Sequence, residues 1–394
     1  MRGFVLVVLL VGLFGWWSGW FAGGAIAAAP KDGTQSTPAG GQPLGSVLDH
    51  VAGGQPAVAP QEPLDANAKK PTVAGLDELV ARLGQRTPES LGAAWAVVAT
   101  ANAADKQRVL QAMPVPGDDF PSLFGVLGQH NAFLHSAEGR GIAQRAVAAA
   151  MALADAEAMT AGTQLLNLML RGRIELADEA ARKFVDETWR QHRVRVDRWL
   201  CDPANVTGAR SYTIAGGDSL ARIAAKFRRE KLLVEDGTLA ILNRIHNPNS
   251  IKAGQKIKVP QAAMHTVVEK RSFSIAVYLG EHLLRLYWIG HGENDRTPVA
   301  EFTVDTKLPR PEWTAPDGQV YAYGHPKNIL GEYFIKLLSD TYVGFGIHGT
   351  PFPHTICTMS SMGCVRMHAV DIDELFRLLP KGTKVAVKAT ESLR

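Results

Sequence analysis

The sequence predicts a multidomain chain with an all-α N-terminal region, a small mixed module and a mostly-β C-terminal part. Three observations carry this. The length, 394 residues, exceeds what one hydrophobic core usually organises. Residues 72–205 are rich in Ala and Leu with helical spacing, as in L-D-E-L-V-A-R-L (76–83), G-I-A-Q-R-A-V-A-A-A-M-A-L-A (141–154) and E-L-A-D-E-A-A-R-K-F-V-D-E-T-W (175–189). From about 265 onward, short alternating runs such as F-S-I-A-V-Y and L-L-R-L-Y-W-I stand between turn residues and read as strands.

In chain order, residues 1–29 begin with one basic side chain, continue as a long apolar run and end in overlapping A-x-A patterns between Ala25 and Ala29. That is the layout of an export signal. The uncharged stretch from Gly3 to Pro30 also exceeds the roughly 20 residues that span a bilayer, so an uncleaved anchor in the cytoplasmic membrane stays open. Either way the rest of the chain is expected in the cell envelope or periplasm. Residues 30–71, rich in Pro, Gly, Ala, Gln and Ser, hold too few large apolar side chains to order themselves and read as a disordered tether. Residues 72–205, broken by Pro114, Pro116 and Pro121, read as a helical packing domain of unknown role.

The module at 211–260 opens with S-Y-T-I-A-G-G-D-S-L. Asp218 or Ser219 is placed to cap a helix whose apolar stripe is Leu220, Ile223, Ala224 and Phe227. A second stretch, L-N-R-I-H-N-P-N-S-I-K-A-G-Q-K-I-K-V-P, closes it. Together these pieces closely resemble a LysM domain. The resemblance implies a βααβ fold and binding to N-acetylglucosamine-containing glycans, with Gly217, Asp218, Asn247 and Pro248 as candidate glycan contacts. Nine Lys or Arg against four Asp or Glu in this stretch also suit an anionic cell-wall polymer.

Residues 265–390 hold the chemistry. The segment I-H-G-T-P-F-P-H-T-I-C-T-M-S-S-M-G-C-V-R-M-H-A-V-D places His348 sixteen residues ahead of Cys364, which follows Gly363. A cysteine attacks as thiolate, its ordinary pKa is about 8.5, and a neighbouring imidazole can take the proton. The order His348, Gly349, Thr350, then Ser361, Gly363, Cys364, Val365, Arg366, Met367 and Asp371 resembles the signature of L,D-transpeptidases with a YkuD-type catalytic domain. Upstream pieces extend the likeness: V-V-E-K-R-S-F-S-I-A-V-Y (267–278), T-P-V-A-E-F (297–302), P-E-W-T-A-P-D-G (311–318) and P-K-N-I-L-G-E-Y (326–333). Departures are Met362 where His is frequent, Ala300 for Gly, Ala369 for Asn and Cys357 for Gly.

The resemblance implies a mostly-β sandwich, so the whole is expected as an all-α N-terminal region, a βααβ LysM module and a mostly-β L,D-transpeptidase sandwich. It implies acyl transfer on peptidoglycan. Cys364 would open a stem tetrapeptide between its third residue and the terminal D-Ala, form a thioester, and pass the acyl group to an amine. His348, with a pKa expected near neutrality, would be the base, oriented by the Gly349 carbonyl. The N–H groups of Gly363 and Cys364 would hold the oxyanion, worth about 3 kcal/mol per donor. Arg366 would grip a carboxylate or pair with Asp371 or Asp373, and Ser361, Trp313 and Tyr333 are the other expected substrate contacts. A helix is expected at 371–379, capped by Asp371.

Other classes are weighed against this. Water as acceptor would make the enzyme an L,D-carboxypeptidase, and an inert site would leave a non-catalytic wall-binding protein. A papain-like protease places its cysteine before its histidine, the reverse of the order here. His348, His354, Cys357, Cys364 and His368 are spaced by 6, 3, 7 and 4 residues, unlike zinc pairs, so no metal or other cofactor is expected. A net charge of +4 argues against a dedicated nucleic-acid binder. Three cysteines are too few for a disulfide framework, although a Cys357–Cys364 bridge would silence the thiol.

Overall fold

The computed structural model describes residues 73–389, apart from 84–89, 91–92, 95–96, 98–100, 113–118, 130–136 and 172–178. The expected export segment at 1–29 and the tether at 30–71 lie outside the described residues. Among those described, no helix is long and apolar enough to cross a membrane.

The Ala- and Leu-rich spacing gives helices α1 (Val73–Leu83), α2 (Ala103–Ala112), α3 (Phe120–Gln129), α4 (Ala137–Ala152), α5 (Asp155–Arg171) and α6 (Glu179–Arg195). On α5 the buried side chains include Met159, Leu165, Leu166 and Met169. They belong to one continuous core with Ile275, Val277, Leu283 and Ile289 of the C-terminal sheet. Each fully buried side chain of this kind contributes roughly 1.5–3 kcal/mol. Polar ties fix the register: Thr163 Oγ1 accepts from Leu283 N at 3.0 Å, and Tyr278 Oη donates to Asn167 Oδ1 at 2.6 Å. The Trp288 indole donates to Asp186 Oδ1 at 2.6 Å. The helical region therefore walls one side of the β region.

The middle module is a βααβ unit. Strands β1 (Ala209–Thr213) and β2 (Lys256–Pro260) pair antiparallel with Tyr212 opposite Ile257, and α7 (Leu220–Arg229) and α8 (Asp236–Leu242) lie between them. Its own core holds Ile214, Leu220, Ile223, Phe227, Leu239 and Val259. Ser219 caps α7, accepting from Arg222 N at 3.2 Å, while Asp218 accepts from Ala215 N and Tyr212 Oη, each at 2.8 Å. The module is docked on the β domain. Thr238 Oγ1 donates to the Leu378 carbonyl at 2.9 Å, and the Glu235 carboxylate holds Lys307 and accepts from Lys381 N at 2.9 Å.

The C-terminal strands are β3 (Met264–Glu269), β4 (Ser274–Leu279), β5 (His282–Gly292), β6 (Ala300–Pro309), β7 (Trp313–Thr314), β8 (Val320–Tyr321), β9 (Tyr333–Leu338), β10 (Gly346–Gly349), β11 (Met359–Ser361), β12 (Val365–Met367) and β13 (Lys384–Lys388). The large sheet runs β11-β5-β12-β10-β9-β6-β13-β3-β4, and β4 pairs again with β5. The long β5 thus closes the sheet on itself, its first half on β4 and its second on β12. Helix α9 (Ala369–Leu378) packs on the sheet through Ile372 and Leu375. It begins at Ala369, not at Asp371, with His368 in the cap position and no side-chain cap bond. The reason is positional: Asp371 already lies in the first turn and is held in a partly buried setting that pushes its carboxyl pKa up.

Candidate active site

Strand pairing brings the chemistry together. Strands β10 and β12 run parallel with His348 opposite Arg366, so Cys364, two residues before Arg366, sits at the mouth of β12 beside β10. Gly346 allows this, because a Cβ there would lie 2.4 Å from the Phe334 ring, which stacks near His348 at 6.2 Å between centroids. His348 and Cys364 both line one cleft of about 390 Å³.

His348 is buried, and its Nδ1 bonds the Gly349 carbonyl at 2.5 Å. With the proton on Nδ1, the lone pair is on Nε2. Burial pushes the imidazole pKa down to about 4, opposed by the Gly349 carbonyl and aided by the Arg366 charge. The expectation of a near-neutral pKa is thereby corrected: desolvation outweighs the hydrogen bond. The Cys364 thiol reaches the Gly344 carbonyl at 3.8 Å. Burial pushes its pKa up, while a backbone bond from Gly346 and the Arg366 guanidinium pull it down. Burial thus favours the uncharged form of each group, the neutral imidazole and the protonated thiol.

Comparison with known proteins identifies the domain that holds this cleft. The L,D-transpeptidase catalytic domain family matches residues 264–387, and the LysM domain family matches residues 212–260. YkuD of Bacillus licheniformis, which carries an L,D-transpeptidase name, is 34% identical over 182 residues, covering 45% of this chain and 97% of that protein. The chain belongs to the YkuD-type L,D-transpeptidase family. YkuD of Bacillus subtilis is 30% identical over 187 residues, covering 45% of this chain and 98% of that one. Among solved structures, an L,D-transpeptidase from Mycobacterium smegmatis has 17% identity and a TM-score of 0.28, with 34% of this chain and 64% of that one covered.

Around the L,D-transpeptidase thiol, several side chains have duties the sequence did not disclose. Gly363 has a φ of 136°, and a Cβ on it would meet the Phe345 ring at 2.7 Å. Its N–H donates to Ser361 Oγ at 3.1 Å, which withdraws it from the oxyanion role expected of it. These bonds do not engage the N–H of Cys364. Ser361, expected at the substrate, uses its hydroxyl inside the protein, since it also donates to the Cys364 carbonyl at 2.6 Å. Thr297 completes the brace, donating to the Gly363 carbonyl at 2.7 Å and accepting from Gly292 N at 2.8 Å.

Arg366 lines the cleft and donates to Ser360 Oγ at 3.2 Å. The alternative pairing with Asp373 is not made, because Arg377, one turn along α9, takes that carboxylate. Trp313 of β7 lines the cleft and stacks on Tyr321 at 5.8 Å. Tyr333 does not reach the cleft; its ring lies 4.5 Å from Phe376 of α9, and this packing replaces the expected substrate contact. Asn328 is a residue the sequence reading missed. Its amide donates to the carbonyls of Pro311 at 2.9 Å and Tyr321 at 3.0 Å, and its Oδ1 accepts from Leu330 N at 3.0 Å, which pins the segment over the cleft. Its only signal was its place in P-K-N-I-L-G-E-Y.

The LysM residues lie apart. Gly217, with a φ of 83°, and Asp218 form the turn before α7. Asn247 caps a short 3-10 turn, accepting from Asn249 N at 3.0 Å, and Pro248 follows it. All three cysteines are free thiols, Cys201 buried and Cys357 and Cys364 half-buried. Among the described residues no group of His, Cys, Asp or Glu is arranged to hold a metal ion.

Proposed function

We propose that the protein is a cysteine L,D-transpeptidase of the cell envelope that remodels peptidoglycan, its LysM module holding it on glycan strands. The observation that carries the mechanism is the neutral His348 with Nδ1 bonded to Gly349, sharing one cleft with Cys364. As Sγ attacks the carbonyl carbon after the third stem residue, its proton passes to His348 Nε2. The oxyanion is held by the N–H of Cys364, and Arg366 binds a substrate carboxylate. The C–N bond breaks, His348 returns the proton to the departing D-Ala amine, and a thioester remains. An acceptor amine then attacks the thioester, its proton going through His348 to Sγ as the C–S bond breaks.

Trp313 supplies an apolar wall for the stem peptide from the segment above the cleft. On the LysM module, the turns carrying Gly217 and Asp218 and carrying Asn247 and Pro248 form the glycan contacts. The functional division runs 72–205 as a helical wall, 211–260 as the glycan anchor and 265–390 as the catalyst, with 1–29 directing export or anchoring and 30–71 as tether. The two modules share one polymer as partner, which supports an envelope location.

The test is covalent labelling. A carbapenem β-lactam should add its mass to the wild-type protein and to Cys201→Ala and Cys357→Ala, and not to Cys364→Ala. An adduct that persists without Cys364 would overturn the assignment.

A further inference from the structure

Lys270 stands in the turn between β3 and β4, where a lysine ordinarily reaches into water, yet it is only 5% exposed. Its ammonium turns inward to the loop after β5, where it donates to the Thr297 carbonyl and pairs with the Asp295 carboxylate at 2.5 Å. The Asp295 side chain is 71% exposed, so that carboxylate keeps its water and the buried partner of the ammonium is the Thr297 carbonyl. The turn that presents the lysine is itself fixed: Lys270 N donates to the Lys388 carbonyl at 3.0 Å, and the Lys270 carbonyl bonds His291 Nε2 at 3.1 Å. The loop it holds is costly to keep. Asn294 and Asp295 follow one another at φ of 50° and 62°, in the left-handed region that a Cβ disfavours, and such a pair persists only where its surroundings over-determine it. Thr297, 2% exposed, ends that loop, and its hydroxyl donates to the Gly363 carbonyl at 2.7 Å. The Gly363 carbonyl and the Cys364 N–H belong to one planar peptide unit, so a bond that fixes the direction of the carbonyl fixes the N–H in the opposite direction.

We propose that Lys270 is a positioning residue for the oxyanion donor: by clamping residues 293–297 it sets the Thr297 hydroxyl against Gly363, and through that peptide it aims the Cys364 N–H. The inference rests on the acyl-transfer reading above and deepens it with a residue that touches neither thiol nor substrate. Lys270 exchanges no proton and forms no bond in the reaction. Its effect therefore falls on the steps that build negative charge on the attacked carbonyl oxygen, and not on the nucleophilicity of Sγ.

Two reagents for Cys364 separate these effects. A carbapenem acylates the thiol through a tetrahedral oxyanion, whereas iodoacetamide alkylates it at a saturated carbon with no oxyanion formed. Both rates are read by mass in the full chain carrying Cys357→Ala, which leaves Cys364 as the accessible thiol beside the buried Cys201. Adding Lys270→Met should slow carbapenem acylation about tenfold, short of the roughly 100-fold or more lost when an oxyanion donor is removed outright, with alkylation changed less than about twofold. Thr297→Val should show the same split and Thr297→Ser should restore acylation. Lys270→Met combined with Thr297→Val should slow acylation little beyond the greater single effect, because both act on one carbonyl. Equal slowing of the two reagents by Lys270→Met, unchanged acylation, or full additivity with Thr297→Val overturns the positioning role while leaving acyl transfer standing. If Lys270→Met does not fold, Lys270→Arg, which keeps a donor for the Thr297 carbonyl, carries the same test: slower acylation at unchanged alkylation supports the role, and equal slowing or no change overturns it. Absence of any carbapenem adduct on Cys364 before Lys270 is altered, with iodoacetamide still reacting, overturns the acyl-transfer reading and this inference with it.

Discussion

Two histidines are buried in this molecule to similar effect and for opposite ends. His348 lies in the cleft and His192 in the seam between α5, α6 and the sheet; burial pushes both imidazoles down to about 4. His348 has Nδ1 bonded to the Gly349 carbonyl, whereas neither ring nitrogen of His192 makes a well-formed hydrogen bond, the Leu283 backbone beside it favouring the charged ring only weakly. Desolvation alone makes a neutral imidazole. What sets His348 apart is the bond that fixes its tautomer and its place on the wall of the cleft.

The seam can be broken first through its ion cluster, where the largest effect is expected. Glu374 of α9 accepts from Arg285 Nε at 2.8 Å and Tyr287 Oη at 2.9 Å, and pairs with Arg193 at 3.2 Å. Arg285 is 4% exposed, with Asp197 at 3.4 Å as its other carboxylate. Glu374→Leu leaves a buried guanidinium without its main partner and should cost about 3–5 kcal/mol in urea unfolding. The double variant Arg285→Leu, Glu374→Leu should recover most of that. A double variant no better than the single would mean that shape, not charge, governs this joint.

Next in size is the acid response of His192. Its unfolded pKa is about 6.5 and its folded pKa about 4, so between these values the unfolded chain binds more protons. Stability from this site is therefore complete above about pH 6.5 and is lost progressively as pH falls toward about 4. The loss amounts to about 3 kcal/mol. Facing groups add to it: Arg195 on the same helix and His282 at the start of β5 both disfavour the charged ring. His192→Leu should flatten the fall in Tm between pH 6.5 and 4 without touching turnover at pH 7.5. His348, His265, His282 and His291 are lowered by burial as well, so some slope remains. An unaltered slope in His192→Leu would mean the seam admits water to that ring.

His348 sharpens the contrast from the other side. His348→Gln should lower kcat by about 100-fold or more, the scale of general acid–base assistance, while Tm at pH 7.5 moves little. His354, exposed on the turn after Thr350, should tolerate Ala. The reverse ranking would misplace the base.

These regions were not equally legible in the sequence. The shared cleft of His348 and Cys364, with His348 Nδ1 on the Gly349 carbonyl, could be read because its residues lie within about twenty positions of one another and the chain pattern alone orders them. Ser361 was placed near the thiol correctly but its duty was not, since the hydroxyl's two partners depend on the left-handed turn at Gly363. Thr297 and Asn328 were in view as pieces of the pattern, and only loop closure gives them partners. The seam was illegible. Thr163 and Leu283, or Asp186 and Trp288, meet across more than a hundred residues, and an Ala-rich helix shows which face is apolar without showing what will cover it.

The smallest effect tests whether the cleft's supporting loop is tuned or merely tolerated. Cys357 has a φ of 60°, in the left-handed region that disfavours a Cβ. Its N–H donates to the Ile289 carbonyl at 2.9 Å, which ties the turn to β5, and its thiol lines a second cavity of about 480 Å³ with Arg182, Asp186 and Trp288. Gly removes roughly 1–2 kcal/mol of backbone conflict but adds freedom to the unfolded chain, worth about 0.4–1 kcal/mol. The balance favours Cys357→Gly by a few tenths to about 1 kcal/mol, a rise in Tm of about 1–3 °C. Cys357→Ala keeps the Cβ and should show no such gain, and both variants should still be acylated at Cys364. A clear loss of stability in Cys357→Gly would mean that the thiol's packing between α6 and β5 outweighs the strain, and that this turn is held by the seam and not by its own backbone.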